Sequence, residues 1–260
     1  MSNERKSTLL LEHYLKQLKL PTILKEYPLL ANSCSLEKCD YPTYLLRLCE
    51  KEVADRQRRA MDRRIQGARF PLLKTIDSFD FASQKSINEP LIRELLRCQF
   101  VDQHENVLLI GNSGTGKTHL ATALGFAACC QGYKVRFFGC TALVTQLVEA
   151  REDRQLQRLL SQFEKQDLLI LDELGYVPFS KLGSELLFEV VSRAYERQSL
   201  ILTTNLPFEN WTEVCGSERL TGAMLDRLTH KVHILEANGA SYRLEQSRKR
   251  LARQNKIEQD

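Results

Sequence analysis

GNSGTGKT, residues 111–118, has the glycine and lysine spacing of a loop that wraps phosphate groups. An apolar run of strand length precedes it at residues 106–110, and residues 118–130, rich in Ala and Leu, predict a helix that stops at Gly132. A glycine-rich loop between a strand and a helix N-terminus can turn its backbone N–H groups toward an anion. The stretch therefore predicts a nucleoside triphosphate site on an α/β fold.

The polar groups of this loop have separate predicted tasks. Lys117 supplies a full positive charge for the terminal phosphates, and the Thr118 hydroxyl can ligate Mg²⁺. The set expected to bind the nucleotide is Gly111, Asn112, Ser113, Gly114, Thr115, Gly116, Lys117, Thr118 and His119. An accidental glycine-rich turn with this spacing is expected roughly once in a hundred chains of this length, and the flanking strand and helix further favour the phosphate loop.

Length and composition suit a globular protein built around such a site. The chain has 260 residues, of which 43% are hydrophobic, enough for one α/β core and a smaller element. No apolar run approaches the roughly 20 residues that cross a membrane, and the charged N-terminus is not typical of a signal peptide. We therefore expect a cytoplasmic protein without a membrane partner.

The N-terminal part, residues 1–75, predicts a small all-α domain. Pro21, Pro28 and Pro42 are expected to break its helical pattern into short helices, followed by a long helix over residues 43–67. This part carries 15 Lys and Arg against 9 Asp and Glu, a net charge of +6, whereas the rest carries 22 against 24, a net charge of −2. The positive excess indicates an anionic partner.

The long predicted helix carries a basic stripe. Arg56, Arg59 and Arg63 recur at i, i+3 and i+7 on one face. The inward face is predicted to hold Leu46, Cys49, Val53 and Ala60. The stripe could be a solvated helix face, but only Asp55 and Asp62 offset its charge. Because arginine favours bidentate phosphate contacts, we interpret the stripe as a contact for nucleic acid or another polyanion.

The remainder, residues 76–260, alternates between strand and helix patterns after a connector at 70–81. The aromatic side chains of the connector are predicted to pack on the core, with contact to a nucleotide base as the alternative. Strand-like runs lie at residues 106–110, 134–138, 167–171, 199–203 and 231–236. Predicted helices lie at residues 89–98, 118–130, from about 141, 184–197 and 217–229. This alternation predicts a five-stranded parallel sheet in a three-layer α/β fold.

Polar residues follow two of these strands, where open α/β sheets bind ligands. Asp172 is predicted to hold Mg²⁺ through water, and Glu173 to polarise the attacking water. After the next strand, Thr204 and Asn205 are predicted to face the terminal phosphate. A solvated acidic pair and a plain turn are the alternatives. The phosphate loop on the same sheet favours the catalytic interpretation.

In this order, the motifs resemble those of the AAA+ P-loop ATPases. Lys117 resembles part of Walker A, Asp172 with Glu173 resembles Walker B, and Asn205 resembles sensor 1. The resemblance implies that ATP is the nucleotide and Mg²⁺ the metal.

Later segments narrow the resemblance to the IstB transposition helper proteins, close relatives of the DnaC helicase loaders. Residues 223–228 look like the box that carries an arginine finger, here Arg227, and residues 241–243 look like sensor 2, with Arg243. Further matches lie at residues 67–71, 174–176 and 195–197. Only about 24 residues follow the last predicted strand, so the lid of the AAA+ fold is predicted to be truncated.

The resemblance also implies a function. It implies an ATPase that assembles into a homo-oligomer on double-stranded DNA, deforms this DNA, and recruits and stimulates a DDE-type transposase of the same insertion sequence. An extra helix within residues 141–165 is implied to contact DNA through Arg151, Arg154 and Arg158. A helicase loader, a DNA scaffold with little hydrolysis and a small-molecule phosphotransferase are the alternatives, of which the last lacks a predicted substrate lid.

Overall fold

The computed structural model of the chain describes the backbone of residues 2–244 and 247–248, with side chains from residue 6 onward. The chain divides into two compact units between Arg63 and Arg64. A domain boundary after residue 75 stays a prediction. Within the described residues, no helix combines the length and the apolar character that crossing a membrane requires.

Three helices begin in the first unit: α1 (Ser2–Gln17), α2 (Pro21–Glu37) and α3 (Tyr41–Ala68). Pro21 and Pro42 lie in first turns, where a helix needs no N–H donor. The prediction that Pro28 breaks the helical pattern is wrong, because Pro28 lies inside α2. Side chains before and after it, including Ile23 and Leu30, pack in the core of this unit, which holds α2 together across the lost hydrogen bond.

A buried carboxylate organises the first unit. Glu52 of α3 is 4% exposed, and its Oε2 accepts hydrogen bonds from the backbone N–H groups of Thr22 (2.8 Å) and Ile23 (3.1 Å). Both donors belong to the first turn of α2, which has no side-chain cap at its own N-cap residue. Oε1 of Glu52 accepts hydrogen bonds of 3.3 Å from Arg56 and Arg59. One side chain therefore caps α2 and pairs with two arginines.

The buried face of α3 differs from the predicted one. Leu46 and Val53 are 57% and 54% exposed, and Cys49 is also exposed, whereas Leu48 and Glu52 are buried. Leu48 and Glu52 are spaced i, i+4 and therefore lie on the same face of α3. This face is buried because the Glu52 carboxylate contacts the N-terminus of α2. Hydrophobicity alone therefore indicated the wrong face.

The second unit is built on five strands. They are β1 (Asn106–Gly111), β2 (Val135–Gly139), β3 (Leu168–Leu174), β4 (Ser199–Thr204) and β5 (Val232–Ala237). All neighbouring strands are parallel, and the order across the sheet is β2-β3-β4-β1-β5. The predicted five-stranded parallel sheet is confirmed, and its central strands carry the predicted functional segments at their carboxyl ends.

Helices cover both faces of this sheet. They are α4 (Glu89–Leu95), α5 (Gln99–Asp102), α6 (Lys117–Gln131), α7 (Cys140–Glu152), α8 (Leu156–Phe163), α9 (Lys181–Ala194), α10 (Trp211–Cys215) and α11 (Glu218–Thr229). One core packs α4 and α6 on the sheet through residues such as Leu95 and Leu124. A second core packs α7 and α9 through residues such as Leu143 and Leu187. The predicted three-layer fold is confirmed.

The helix predicted from about residue 141 is α7, and a second helix, α8, follows it before β3. The chain leaves α7 and enters α8 through a turn in which Arg154 has a φ of +58°. A non-glycine residue in the left-handed region cannot continue a right-handed helix, so α7 ends before it.

Candidate nucleoside triphosphate site

The phosphate loop lies in a cavity at the carboxyl ends of β1, β3 and β4. Its lining comes from the loop and α6, the connector, the ends of β3 and β4, and the segment after β5. Of the predicted site residues, the cavity brings together Ser113, Gly114, Thr115, Gly116, Lys117, Thr118, His119, Glu173, Asn205 and Arg243. Asp172 lies directly behind them, bonded to Thr118.

The backbone of the phosphate loop requires glycine at Gly114 and at Gly116. Gly114 (φ +79°) and Gly116 (φ +94°) adopt left-handed conformations. A Cβ at Gly114 would overlap the hydroxyl of Ser241, and a Cβ at Gly116 would lie 2.6 Å from the ring of Phe79. The two glycines therefore shape the loop and also let two other segments approach it closely.

Lys117 is buried within the loop. Its ammonium donates hydrogen bonds to the carbonyl oxygens of Gly111 (2.6 Å) and Asn112 (2.7 Å). Burial lowers the pKa of Lys117, and the negative charges of Asp172 and Glu173 oppose this shift. A shielded cation beside a glycine-rich loop is suited to a polyanion, because low solvent exposure strengthens the attraction between opposite charges.

Two threonine hydroxyls hold Asp172. Its Oδ1 accepts hydrogen bonds from Thr118 Oγ1 (3.0 Å) and Thr203 Oγ1 (2.6 Å). Burial raises the pKa of Asp172, and both hydroxyls oppose this shift. The Thr118 hydroxyl and the Asp172 carboxylate are hard oxygen donors, which fits the predicted Mg²⁺ site. Within the described residues, no three His, Cys, Asp or Glu side chains form a group that could hold a metal ion.

Strand β3 is irregular where Glu173 leaves it. The pairing of β3 with β4 shifts between Leu171 and Leu174, and Glu173 has a φ of +62°. This is a β-bulge, a device that redirects side chains next to functional sites. The backbone N–H of Glu173 donates a hydrogen bond of 2.9 Å to Thr203 Oγ1, and its exposed side chain lines the cavity.

At the end of β4, neighbouring residues have different surroundings. Asn205 lines the cavity, and its buried Oδ1 has no hydrogen-bond partner among the described residues. Thr204, predicted to face the terminal phosphate, also lines the cavity, and its hydroxyl donates a hydrogen bond to the carbonyl of Leu174 (2.8 Å) and accepts one from the N–H of Leu206 (3.0 Å). Thr203, which the prediction missed, contacts Asp172 and Glu173. The alternation of side chains along a strand could have indicated this role, because residues i and i+2 face the same way and Thr203 therefore lies on the same face as Asn205.

The segment after β5 returns to the phosphate loop. The backbone N–H of Tyr242 donates a hydrogen bond of 3.0 Å to the carbonyl of Gly114. Arg243 lines the cavity, where its charge acts with burial to lower the pKa of Lys117 and opposes the rise in the pKa of Asp172. This short segment thus brings a second cation to the site.

The connector forms one wall of the cavity. Phe79 contacts the ring of His119 edge-on, with centroids 5.1 Å apart, and also packs in the core with Phe81. Nε2 of His119 donates a hydrogen bond of 2.9 Å to the carbonyl of Thr75, and burial lowers the pKa of His119. Phe79 is therefore both a core residue and a lining residue.

The lining residues that were not predicted as site residues include Lys74, Gln84 and Tyr176. The hydroxyls of Tyr176 and Ser113 lie 3.1 Å apart, and the amide nitrogen of Gln84 donates to the carbonyl of Ala240 (2.9 Å). These contacts join segments that are distant in sequence, so no local pattern indicates them.

Arg227 does not line this cavity. It lies on α11, where it donates to the carbonyl of Ala223 (2.9 Å), and its guanidinium is 4.8 Å from the ring centroid of Phe188. These contacts fix a half-buried cation away from the phosphate loop of its own chain.

The arginines predicted to contact DNA fall into two groups. In the second unit, the helix-turn arginines (Arg151, Arg154 and Arg158) are exposed, and none forms an ion pair with another described residue. In the first unit, Arg56 and Arg59 share the carboxylate of Glu52, although both are still 58% and 43% exposed, and Arg63 is exposed.

Comparison with known proteins identifies the family. The sequence model of the IstB-like ATP binding proteins matches residues 13–250. A protein named as the ATP-binding protein of insertion sequence IS5376 from Geobacillus stearothermophilus is 40% identical over 238 residues, which are 92% of this chain and 95% of that protein. Its counterpart from insertion sequence IS21 of Pseudomonas aeruginosa is 38% identical over 239 residues, 92% and 90% of the two chains.

Solved structures agree on the fold. AMPPCP-bound DnaA from Aquifex aeolicus matches with a TM-score of 0.53 and 22% sequence identity, over 63% of this chain and 49% of that one. The resemblance to IstB proteins predicted from the motifs is confirmed: the chain belongs to the family of IstB-like ATP-binding proteins.

Proposed function

We propose that this chain binds ATP with Mg²⁺ in the cavity, hydrolyses it, and uses the cycle to assemble on duplex DNA as a helper of a DDE-type transposase. One observation carries the catalytic part. A buried lysine, a carboxylate held by two hydroxyls and an exposed carboxylate on a bulge meet at one phosphate loop.

Each group of the site has a proposed task in binding. Lys117 pairs with the β- and γ-phosphates, together with the backbone N–H groups of the loop. Thr118 and Asp172 hold Mg²⁺, whose chemical contribution is to neutralise charge on the phosphate oxygens. Arg243 adds positive charge from the C-terminal segment. Asn205 offers its buried amide to the terminal phosphate or to the attacking water.

Glu173 is the proposed group that acts on water. Its carboxylate is exposed in the cavity and has no ion pair among the described residues, so it is available to accept a hydrogen bond from the attacking water. This supports hydrolysis over the alternative of a scaffold that only binds ATP.

Arg227 is proposed to complete the site of a neighbouring subunit. It is held away from its own cavity, so a role as an arginine finger requires a second copy of the chain. Such fingers stabilise charge on the transferring phosphoryl group and contribute ~10³-fold or more in rate. The proposed active form is therefore a homo-oligomer assembled with ATP.

Duplex DNA is the proposed anionic partner. The helix-turn arginines are exposed and unpaired within the described residues, which makes them the first candidates for phosphate contacts. Arg63 is a second candidate, and Arg56 and Arg59 would have to bind phosphate while they pair with Glu52. The names of the relatives refer to insertion sequences, which supports a transposase over a replicative helicase as the protein partner.

The test measures phosphate release by the full chain with Mg²⁺ and ATP, with and without duplex DNA, followed by pull-down against the transposase and against a replicative helicase. We expect DNA-stimulated hydrolysis and capture of the transposase. Capture of the helicase alone would support the helicase-loader alternative. Hydrolysis that DNA leaves unchanged, without capture of either protein, would contradict the proposed function.

A further inference from the structure

The hydroxyl of Thr203 links the two acidic residues of the site. Thr203 is 1% exposed in the interior of the sheet. It accepts a hydrogen bond from the backbone N–H of Glu173 (2.9 Å) and donates one to Oδ1 of Asp172 (2.6 Å). A hydroxyl has one proton to donate, so the donation to Asp172 leaves a lone pair directed at Glu173.

The position of Thr203 matches the irregularity in the sheet. Leu171 pairs with Leu202, and Leu174 pairs with Thr204, so two residues of β3 lie opposite Thr203 alone. One of these is Glu173, whose positive φ is a sparsely populated conformation that persists only when its surroundings hold it. The hydrogen bond from its N–H to Thr203 is a direct contact with this strained residue.

An ordinary buried threonine would satisfy its hydroxyl in another way. The neighbouring Thr204 shows this, because its hydroxyl donates to the backbone carbonyl of Leu174. At the other end of β4, the Ser199 hydroxyl likewise donates to the carbonyl of Phe100 (3.0 Å). Thr203 instead contacts a proposed metal ligand and the proposed residue that acts on water.

We propose that Thr203 is a positioning residue that sets Asp172 and Glu173 relative to each other. By holding the bulge, it keeps the Glu173 carboxylate in the cavity while it orients the Asp172 carboxylate toward Thr118. The inference rests on the proposed ATPase function, and it predicts that Thr203 affects turnover far more than ATP binding.

The test compares Thr203→Val, which removes the hydroxyl, with Thr203→Ser, which restores it, in the full chain. The control is Ser199→Ala, which removes a buried hydroxyl from the same strand. We expect Thr203→Val to lose about 10²-fold in kcat, the effect of a misplaced catalytic group, with KM for ATP changed only a few-fold. Thr203→Ser should recover most of the loss, and Ser199→Ala should keep the parent kcat.

A second readout does not depend on activity. Amide hydrogen exchange at Glu173 should accelerate in Thr203→Val, and remain slow in Thr203→Ser and in the control. If the valine variant does not fold, Thr203→Ala is measured in the same way. Parent-like kcat and parent-like protection of the Glu173 amide would overturn the inference. If the parent itself hydrolysed no ATP, the proposed function would fail, and hydrogen exchange would still decide the role of Thr203.

Discussion

Replacing Glu52 by alanine should destabilise the first unit by about 3 kcal/mol. The carboxylate accepts two backbone N–H bonds at the start of α2, and each such bond to a charged group contributes about 1.5–3 kcal/mol. Its pairs with Arg56 and Arg59 add at most ~1 kcal/mol, because both guanidinium groups are largely exposed and can be rehydrated. Losing about 1.5 kcal/mol, the lower end of this range, at each of the two N–H groups gives the expected loss of about 3 kcal/mol.

Urea unfolding can separate this effect from the second unit. Far-UV circular dichroism reports on helices of both units, whereas the single tryptophan, Trp211, is buried in the second unit and reports on that unit alone. Glu52→Ala should lower the stability seen by circular dichroism and leave the tryptophan transition in place. The control is Glu50→Ala, which removes an exposed carboxylate two residues away and should change stability by less than about 0.5 kcal/mol. If the two variants unfold alike, Glu52 does not cap α2.

Three further predictions concern the second unit. Replacement of the helix-turn arginines by alanine should weaken DNA binding on all sequences alike and flatten the slope of log affinity against log salt by about 0.9 per lost phosphate contact. An unchanged slope in a salt titration would show that these arginines do not contact DNA and would make Arg63 the next candidate. Arg227→Ala and Lys117→Ala proteins, each inactive alone, should regain partial ATPase activity when mixed. No recovery at any ratio would argue against a shared site through Arg227, and Arg219, which also lies on α11, would be tested next. Because burial lowers the pKa of His119, folding favours its neutral form. The stability that it contributes is therefore present above its unfolded pKa of about 6.5 and is lost as the pH falls. Unfolding followed by Trp211 fluorescence should show a smaller loss of stability in acid for His119→Gln than for the parent, and an equal loss would contradict the assignment.

Local patterns predicted the framework of the site. The loop 111–118 is recognisable because its chemistry depends on residue types at fixed spacing, and the adjoining strand and helix have their own periodicity. The acidic pair at the end of β3 was predicted for the same reason, since parallel strands bring their carboxyl ends to one edge.

Local sequence patterns could not predict the contacts between segments that are distant in sequence. The link from Thr203 to Glu173 depends on a bulge that the apolar run of β3 does not reveal. On α3, exposed apolar residues such as Leu46 suggested the wrong buried face, because a charged residue, Glu52, faces inward to cap another helix. Gln84, which lines the cavity, lies in an irregular segment before α4 that has no recognisable pattern.

The most direct test of the proposed catalytic site compares Lys117→Ala with Glu173→Gln, by measuring ATP affinity and phosphate release for each. Lys117→Ala removes charge that pairs with the bound phosphates and should abolish ATP binding. Glu173→Gln removes only the group that acts on water, so it should bind ATP with the affinity of the parent and show no turnover. An equal loss of ATP affinity in both variants, or parent-like phosphate release by Glu173→Gln, would contradict the account.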